Sequence, residues 1–541
     1  MKLRSLHELE TTDGTFRLLD VGSLLQHQKG TEIVLIPQPT LGDPNDPLNW
    51  SRPKRLAAYW SCLMLAGLVN FCVIGIGPSF GLIARQFHVD EFQLTWLISV
   101  TALGMALGVL TVAPLAMKFG KRPVWLGCSI TFFACNLWAA ASPSYTSLLL
   151  ARFFAIWAAG ACEPLSMDTV KDLFFLHERG FQSGVLGMFF NLFGTPAPLI
   201  GGYLVAAKGW RWFHWLVSIL AGFNMLLIFF LLPETNYKRD LHQLADAGAD
   251  ETDDAGADEM DDAQDQDGHD VKSFSHKVSS ALHLERTMTR PTFIAKSYIQ
   301  QLKPWSPVDP EVSVWWPFIR PWITLAFPAI SWTILVFAAH VACFIIIVTV
   351  TPIYFSVPPY SFTSRQQGLT YIGPTIGSVL GGLILGKLND IVVRILSKRN
   401  NGVFEPEMRL PMITAPMLAT ITGLIMFGVG VQNGDHWIVP VLGSTFVAVG
   451  LASVPSTLQP YLIDSYFPAS LDVSTFFLGF KNLIVFAFAF GISPWIKVDG
   501  IGAVFGILAA LVAVFDLGWI VFYIFGKKWR QDDGKKRIFP F

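Results

Sequence analysis

Charge is scarce in this chain. Of its 541 residues only 15% are Asp, Glu, Lys or Arg, against 52% hydrophobic, and mean hydropathy is +0.47. A water-soluble protein of that length needs far more polar surface, so the composition implies a polytopic membrane protein. The net charge of −1 leaves no basic excess to draw nucleic acid. Cysteine is scarce too. Cys62, Cys72, Cys128, Cys135, Cys162 and Cys343 all fall in apolar stretches, without metal-ligand spacing or an exposed loop to staple, and read as small core residues. No apolar segment follows the charged start "MKLRSLHELE", so no signal peptide is expected. A glycine-rich phosphate loop with its lysine is missing, which argues against ATP as an energy source, and "HERG" lacks the second histidine of a zinc-protease helix. The chain reads as no enzyme, with no cofactor, no metal and no obligate protein partner.

What is abundant is long apolar runs. About twelve are long enough to cross a bilayer, near 56–82, 93–117, 123–142, 147–172, 182–206, 211–233, 322–350, 366–388, 410–431, 437–462, 472–495 and 502–526. They fall six and six about a different kind of segment, in which "DETDDAGADEMDDAQDQDGHD" is acidic, low in complexity and nearly free of large apolar residues. The expected domains are an N-terminal arm 1–55, a six-helix bundle 56–233, a disordered acidic linker 234–320, a second bundle 321–526 and a tail 527–541. The linker's end, "PEVSVWWPFIRPW", is suited to the membrane surface. Arg52, Lys54 and Arg55, Lys118, Lys121 and Arg122, Arg394, Lys398 and Arg399, and Lys527, Lys528 and Arg530 all fall on one side if both termini and the linker are cytosolic; Lys208, Arg211 and Arg365 are exceptions. The fold class is an all-α polytopic membrane protein, twelve transmembrane helices as two pseudo-symmetric six-helix bundles. Such a repeat is the usual construction of secondary transporters.

Short motifs along the chain carry a family likeness. "APLAMKFGKR" resembles the loop between helices two and three of the major facilitator superfamily, whose pattern runs G-x-L-A-D-R-x-G-R-K. Leu115, Ala116, Lys118, Gly120, Lys121 and Arg122 match in kind, while Ala113 replaces the first glycine and Met117 the acidic residue. "APLIGG", with Ala197, Pro198, Gly201 and Gly202, is similar to the helix-five element of the antiporter subgroup, alanine standing for its first glycine. "DPNDPLNWS", "FFLHERG", "LPETNY" and "YLIDSY" are similar to stretches of the fungal drug:proton antiporter-1 family. The resemblance implies a major facilitator fold, alternating access, and a gate built from Lys118, Gly120, Lys121, Arg122, Asp168 and Asp390. It also implies multidrug or metabolite efflux in exchange for protons.

The fourth apolar run raises the sharpest chemical question. Arg152 and Glu163 are eleven residues apart, which at 100° per residue returns to within roughly 20° of one direction, about 16 Å along the helix. Ionisable groups on one stripe of an apolar helix face protein or water rather than lipid. Pro164 has no amide hydrogen for the carbonyl of Gly160, so a second acceptor is freed beside the carboxylate. Burial disfavours a charged carboxylate, which equips such a group to load and release a proton. Glu163 is the expected proton-coupling or cation-binding residue; a structural partner for a lysine is its alternative. Arg152, with Asn70, Asn191 and His340, is expected to contact substrate in the cavity, interhelical hydrogen bonding being the plain alternative for the last three. Asp168, Lys171 and Asp172 suit a salt network at the helix exit, as do Glu178 and Arg179, and Lys481 suits snorkelling to the surface. Gly377 with Gly381, and Gly382 with Gly386, are spaced for close helix packing, and Pro198, Gly201 and Gly202 for a bend in the fifth helix.

The function expected is secondary active transport of a small organic solute (a drug, metabolite or organic cation) coupled to protons, in the direction of export; the alternative is proton-coupled uptake of a nitrogenous cation such as a polyamine. The expected membrane is the plasma membrane, with the vacuolar membrane as the other option. A membrane enzyme using His340 as base has no positioned acid or cofactor site in the sequence. A sensor signalling through the acidic linker is a third reading.

Overall fold

The computed structural model describes residues 40, 43–237, 295–306, 316–400, 405–465 and 470–535. The expected arm up to residue 39, the acidic stretch 238–294 of the linker and the tail from 536 lie outside the described residues. Eleven of the described helices are long and apolar enough to span a membrane. In chain order they are α1 (Arg52–Phe87), α2 (Glu91–Thr111), α3 (Lys121–Ala141), α4 (Tyr145–Leu173), α5 (Val185–Lys208) and α6 (Arg211–Leu231), then α7 (Pro328–Phe355), α9 (Pro406–Asn433), α10 (Ile438–Leu462), α11 (Thr475–Asp499) and α12 (Ile501–Arg530). The missing eighth, α8, is a run of Ile372–Leu380, Gly381–Leu385 and Gly386–Arg399. Its middle piece is a π-turn, and Lys387, Asp390 and Arg394 crowd its far end, so the apolar part is short. Twelve helices result, as the sequence predicts.

Lipid tails are as apolar as leucine, so helices here associate through close packing rather than solvent exclusion. Small residues set the approach. On α2, Gly104 lies against the carbonyl of Phe153 and Gly108 against that of Trp157, while Gly160 of α4 lies against Met105. The α8–α10 contact repeats this arrangement in the second half: Gly377 faces the carbonyl of Thr445 and Gly381 that of Val449. The second expected pair differs, for Gly382 has nothing nearer than 4.0 Å and Gly386 nothing nearer than 3.9 Å. Between the halves, α2 packs on α11, with Leu110 against Gly479, and α5 on α8.

A side chain at Gly377 would place its Cβ 2.5 Å from the Thr445 carbonyl oxygen, whereas one at Gly382 would place it an ordinary 4.0 Å from the Ala452 carbonyl oxygen. Gly377→Val is therefore expected to cost roughly 1–3 kcal/mol through overpacking. Thermal unfolding in detergent should show a lowered midpoint for Gly377→Val and little change for Gly382→Val.

Candidate functional site

α4 is two helices in series. Tyr145–Gly160 ends, the chain turns at Ala161, and Cys162–Leu173 resumes. The cause is local: Pro164 offers no N–H to the Gly160 carbonyl. Glu163 sits just past this break. Its Oε1 accepts a hydrogen bond from Nζ of Lys481 on α11 at 2.9 Å, with the two side chains 10% and 5% exposed. Its other oxygen, Oε2, is buried with no hydrogen-bond partner among the described residues. Lys481 thus does not snorkel. It lies well inside helix Ser470–Asp499, and a carboxylate within direct reach offers it a better partner than a distant interface. On its other side Nζ lies 4.9 Å from the centre of the Phe337 ring.

This ion pair lies in a cavity of about 110 Å³, room for several water molecules. Both halves line it. Asn70 comes from α1, Glu163 and Met167 from α4, Phe190 and Thr195 from α5; Phe337 and Phe344 come from α7, Gln459 from α10 and Lys481 from α11. Glu163 and Lys481 are the charged members of that lining. The site is a neutral ion pair in an otherwise aromatic and amide-bearing pocket.

Two other expected contacts fall elsewhere. Arg152 is buried outside the cavity lining, and its guanidinium donates to the carbonyls of Leu97 at 3.0 Å and of Cys72 and Val73 at 3.2 Å each. It ties α4 to α1 and α2; with three backbone acceptors around it, no ligand is needed to satisfy it. His340 also turns away from the cavity, toward Asp516 of α12, with Nε2 3.5 Å from Oδ2 and both side chains fully buried. Its Nδ1 is 3.0 Å from the Val336 carbonyl. Asn70 does line the cavity, its Nδ2 donating to the Ala66 carbonyl at 3.1 Å. The side chain of Asn191, on the helix Leu176–Gly194, lies outside the described residues.

The α2–α3 loop forms a second centre. Lys121 is nearly buried and bridges Asp168 and Asp172 of α4. Gly120 holds a positive φ of 86°, and a side chain there would collide with Glu234 and Ser306. Glu234, from "LPETNY", accepts from the backbone N–H groups of Lys121 and Arg122, each at 3.1 Å, and so caps the start of α3. Arg122 reciprocates by donating to the carbonyls of Phe229 and Leu232 at the end of α6, and to those of Leu302 and Lys303. Lys118 ends the short helix Leu115–Phe119 and is half-exposed. Asp390 belongs to the other half: it is largely exposed and lies 3.7 Å from Arg409 of α9. Glu178 faces Arg55 at 3.7 Å.

The helix-five motif is a contact point. α5 breaks at Thr195 and Pro196, just ahead of Pro198. Gly201 lies against the Gly75 carbonyl of α1, and Gly202 against Gly368 in the short helix Ser364–Leu369 that leads into α8; the carbonyl of Pro198 also faces Gly368.

The fold and this two-sided cavity define a membrane transporter. The family model described as Major Facilitator Superfamily matches residues 59–494, and the chain belongs to that family. Among its relatives, the MFS transporter cpaT of Aspergillus oryzae is 29% identical, the match covering 78% of this chain and 77% of cpaT. The MFS-type transporter penM of Penicillium rubens is 24% identical, with 90% and 88% covered. Among solved structures, the proton:xylose symporter XylE has a TM-score of 0.59 at 12% identity, with 88% of this chain and 97% of XylE covered. The human organic anion transporter MFSD10 has a TM-score of 0.53 at 16% identity, with 87% and 100% covered.

Arg122 closes the α3–α6 end and holds the segment 295–306 against it. Arg122→Ala should raise amide hydrogen exchange in 298–303 by roughly tenfold or more, through cheaper local opening. Mass-spectrometric exchange of the full chain in detergent reads this directly; unchanged protection there would show that the guanidinium is not the fastener.

Proposed function

We propose that this transporter is proton-coupled and exports a small organic solute (a drug-like compound, metabolite or organic cation) by alternating access. Both chain ends then face the cytosol, with the plasma membrane as its site and the vacuolar membrane as the alternative. One observation carries the reading: an ion pair between α4 and α11 bridges the two halves inside the cavity. Rocking the halves apart there breaks the bridge, and an uncompensated buried pair costs about 3–5 kcal/mol to separate. An occupant that compensates the charge removes that penalty, so movement becomes conditional on what is bound. The unpartnered Oε2 offers an acceptor to a ligand's N–H, while Phe190, Phe337 and Phe344 offer apolar faces to its body.

Direction is supported by the helix-five motif alone, through its likeness to antiporters. Proton-linked uptake of a nitrogenous cation uses the same carboxylate, and the fold admits it, XylE being a symporter. The test is flux in liposomes under an imposed pH gradient, with ethidium and spermidine as probes. Glu163→Gln keeps the shape and removes the charge; it is expected to lower gradient-driven flux by about a hundredfold, the loss of a charge-assisted contact of roughly 3 kcal/mol. Undiminished proton-dependent flux in that variant rules out the coupling role. The probe that moves, and the side to which it moves, decides between export and uptake.

A further inference from the structure

We propose that the proton exchanged by this carrier is held on Lys481, and that a cationic substrate displaces the Lys481 ammonium from Glu163 while Lys481 gives that proton up. The inference rests on the proposed function and names the proton's seat within that same site. It follows from a charge balance over the cavity. The charged lining residues are one carboxylate and one ammonium, so the resting site sums to zero.

Two ways of exchanging a proton for a cation can be compared. In the first, the proton and the substrate compete for Glu163 while Lys481 stays charged throughout. A protonated Glu163 then leaves Lys481 as one unpaired positive charge. A substrate cation on the ionised Glu163 leaves the same unpaired charge, so both loaded states sum to +1. In the second, the N–H bond of the Lys481 ammonium breaks and its electron pair stays on Nζ. The proton passes to cavity water, and the substrate cation takes Oε1 and Oε2. Both loaded states are now neutral: ammonium with carboxylate, or substrate cation with carboxylate beside a neutral amine. An unpaired buried charge is costly in either loaded state of the first scheme and arises in neither of the second.

The surroundings of Lys481 suit the second scheme. Glu163 is the anion in contact with it, at 2.9 Å. From α2 come Val109 and Leu110 near Gly479; from α7 comes the Phe337 ring; from α10 comes Gln459 in the shared cavity. Of the other ionisable groups on the packed elements, His340 of α7 faces Asp516 of α12, Asp168 and Asp172 of α4 hold Lys121, Arg152 of α4 donates to backbone carbonyls, and Lys527 and Arg530 of α12 pair with Glu405 and Glu407. Among the described residues Glu163 is the one carboxylate within ion-pair reach of the Lys481 ammonium, so a cation that takes Glu163 leaves that ammonium without an anion beside it.

The decisive variant is Lys481→Arg, which keeps the positive charge and the reach to Glu163 but cannot be deprotonated in a protein. In liposomes, ethidium flux driven by a pH gradient should fall about a hundredfold in Lys481→Arg, a change of about 2.7 kcal/mol in the barrier, with the thermal midpoint retained. Binding gives a second readout. Wild-type affinity for ethidium should rise about tenfold per pH unit between pH 6 and 8, with one proton released per ethidium by calorimetry in buffers of different ionisation heat. Infrared difference spectra of ethidium binding to the wild type should show no carboxylic-acid C=O band disappearing, because in this scheme Glu163 carries no proton before or after binding. Lys481→Arg flux within twofold of wild type, or a carboxylic-acid band that is lost on binding in the wild type and is absent in Glu163→Gln, places the proton on Glu163 and overturns the proposal while leaving proton-coupled transport standing. If Lys481→Arg does not fold, the wild-type infrared difference spectrum decides alone. A wild-type chain that neither binds nor moves ethidium defeats the cation-exchange reading, and this inference with it.

Discussion

A single desolvated ion pair constrains how this molecule can move. Glu163 and Lys481 belong to different halves, meet at 2.9 Å, and sit where water is limited to a small cavity. Among the described residues the other contacts between halves include van der Waals packing, a hydrogen bond between Thr195 and Ser378 at 3.2 Å, and the Arg365 guanidinium 4.7 Å over the Tyr203 ring. Sliding such surfaces changes contact area gradually. Separating a buried carboxylate from its ammonium is a discrete event, because each charge then needs a new partner at once. A discrete barrier is what makes two conformational basins rather than a continuum, and what lets an ion or ligand choose between them.

The packing around this pair is organised so that the halves can serve as rigid bodies. Glycines at the α2–α4 and α8–α10 contacts bring backbone against backbone inside each half, and Arg152 stitches α4 to α1 and α2 through carbonyls. The buried His340–Asp516 contact similarly joins α7 to α12 within the second half. Contacts within a half are therefore numerous and close. Those between halves are concentrated at α2–α11, as extensive as contacts inside a half, and where α5 meets the helix Ser364–Leu369 and α8; Gly479, Gly202 and Gly368 permit close approach there.

Much of this was legible in the sequence, and the misreadings have identifiable causes. The twelve apolar runs are visible because lipid demands them, and Glu163 stands out because a carboxylate inside such a run needs a reason. Lys481 presents the same signal in the eleventh run, yet its flexible stem allows a surface reading that a shorter side chain would not. What sequence lacks is the depth of that residue and the facing of α11 on α4, two helices 318 positions apart along the chain. Arg152 and His340 point to the cavity in the sequence only by being polar in apolar helices. Polarity says that a partner exists, not which one: for Arg152 the partners are backbone carbonyls, and for His340 an aspartate on α12 that sequence periodicity could not pair with it. The π-turn in α8 left no sequence signal beyond its paired glycines.

Three of the motifs that carry the family likeness, the α2–α3 loop, "LPETNY" and "DPNDPLNWS", converge in space, which explains their residue types better than their spacing does. Gly120 turns the chain at a positive φ, which exposes the first N–H groups of α3; Glu234 accepts two of them, and Arg122 takes the last carbonyls of α6. Each helix end therefore has its unpaired backbone groups satisfied by a side chain from the neighbouring helix's end, with charges of the favourable sign for both dipoles. Tyr237 of "LPETNY" donates to Asp43 of "DPNDPLNWS" at 2.7 Å, which extends the same knot to the start of α1. Lys121 adds the link to α4 through Asp168 and Asp172, on the same helix as Glu163. The replacement of the loop's usual acidic residue by Met117 is tolerable in this arrangement, because the carboxylates that hold Lys121 and cap α3 come from Asp168, Asp172 and Glu234 rather than from the loop itself. A cluster that fixes α1, α3, α4 and α6 to one another at one end leaves the break at Ala161 as a place where α4 can yield, two residues before Glu163 of the ion pair.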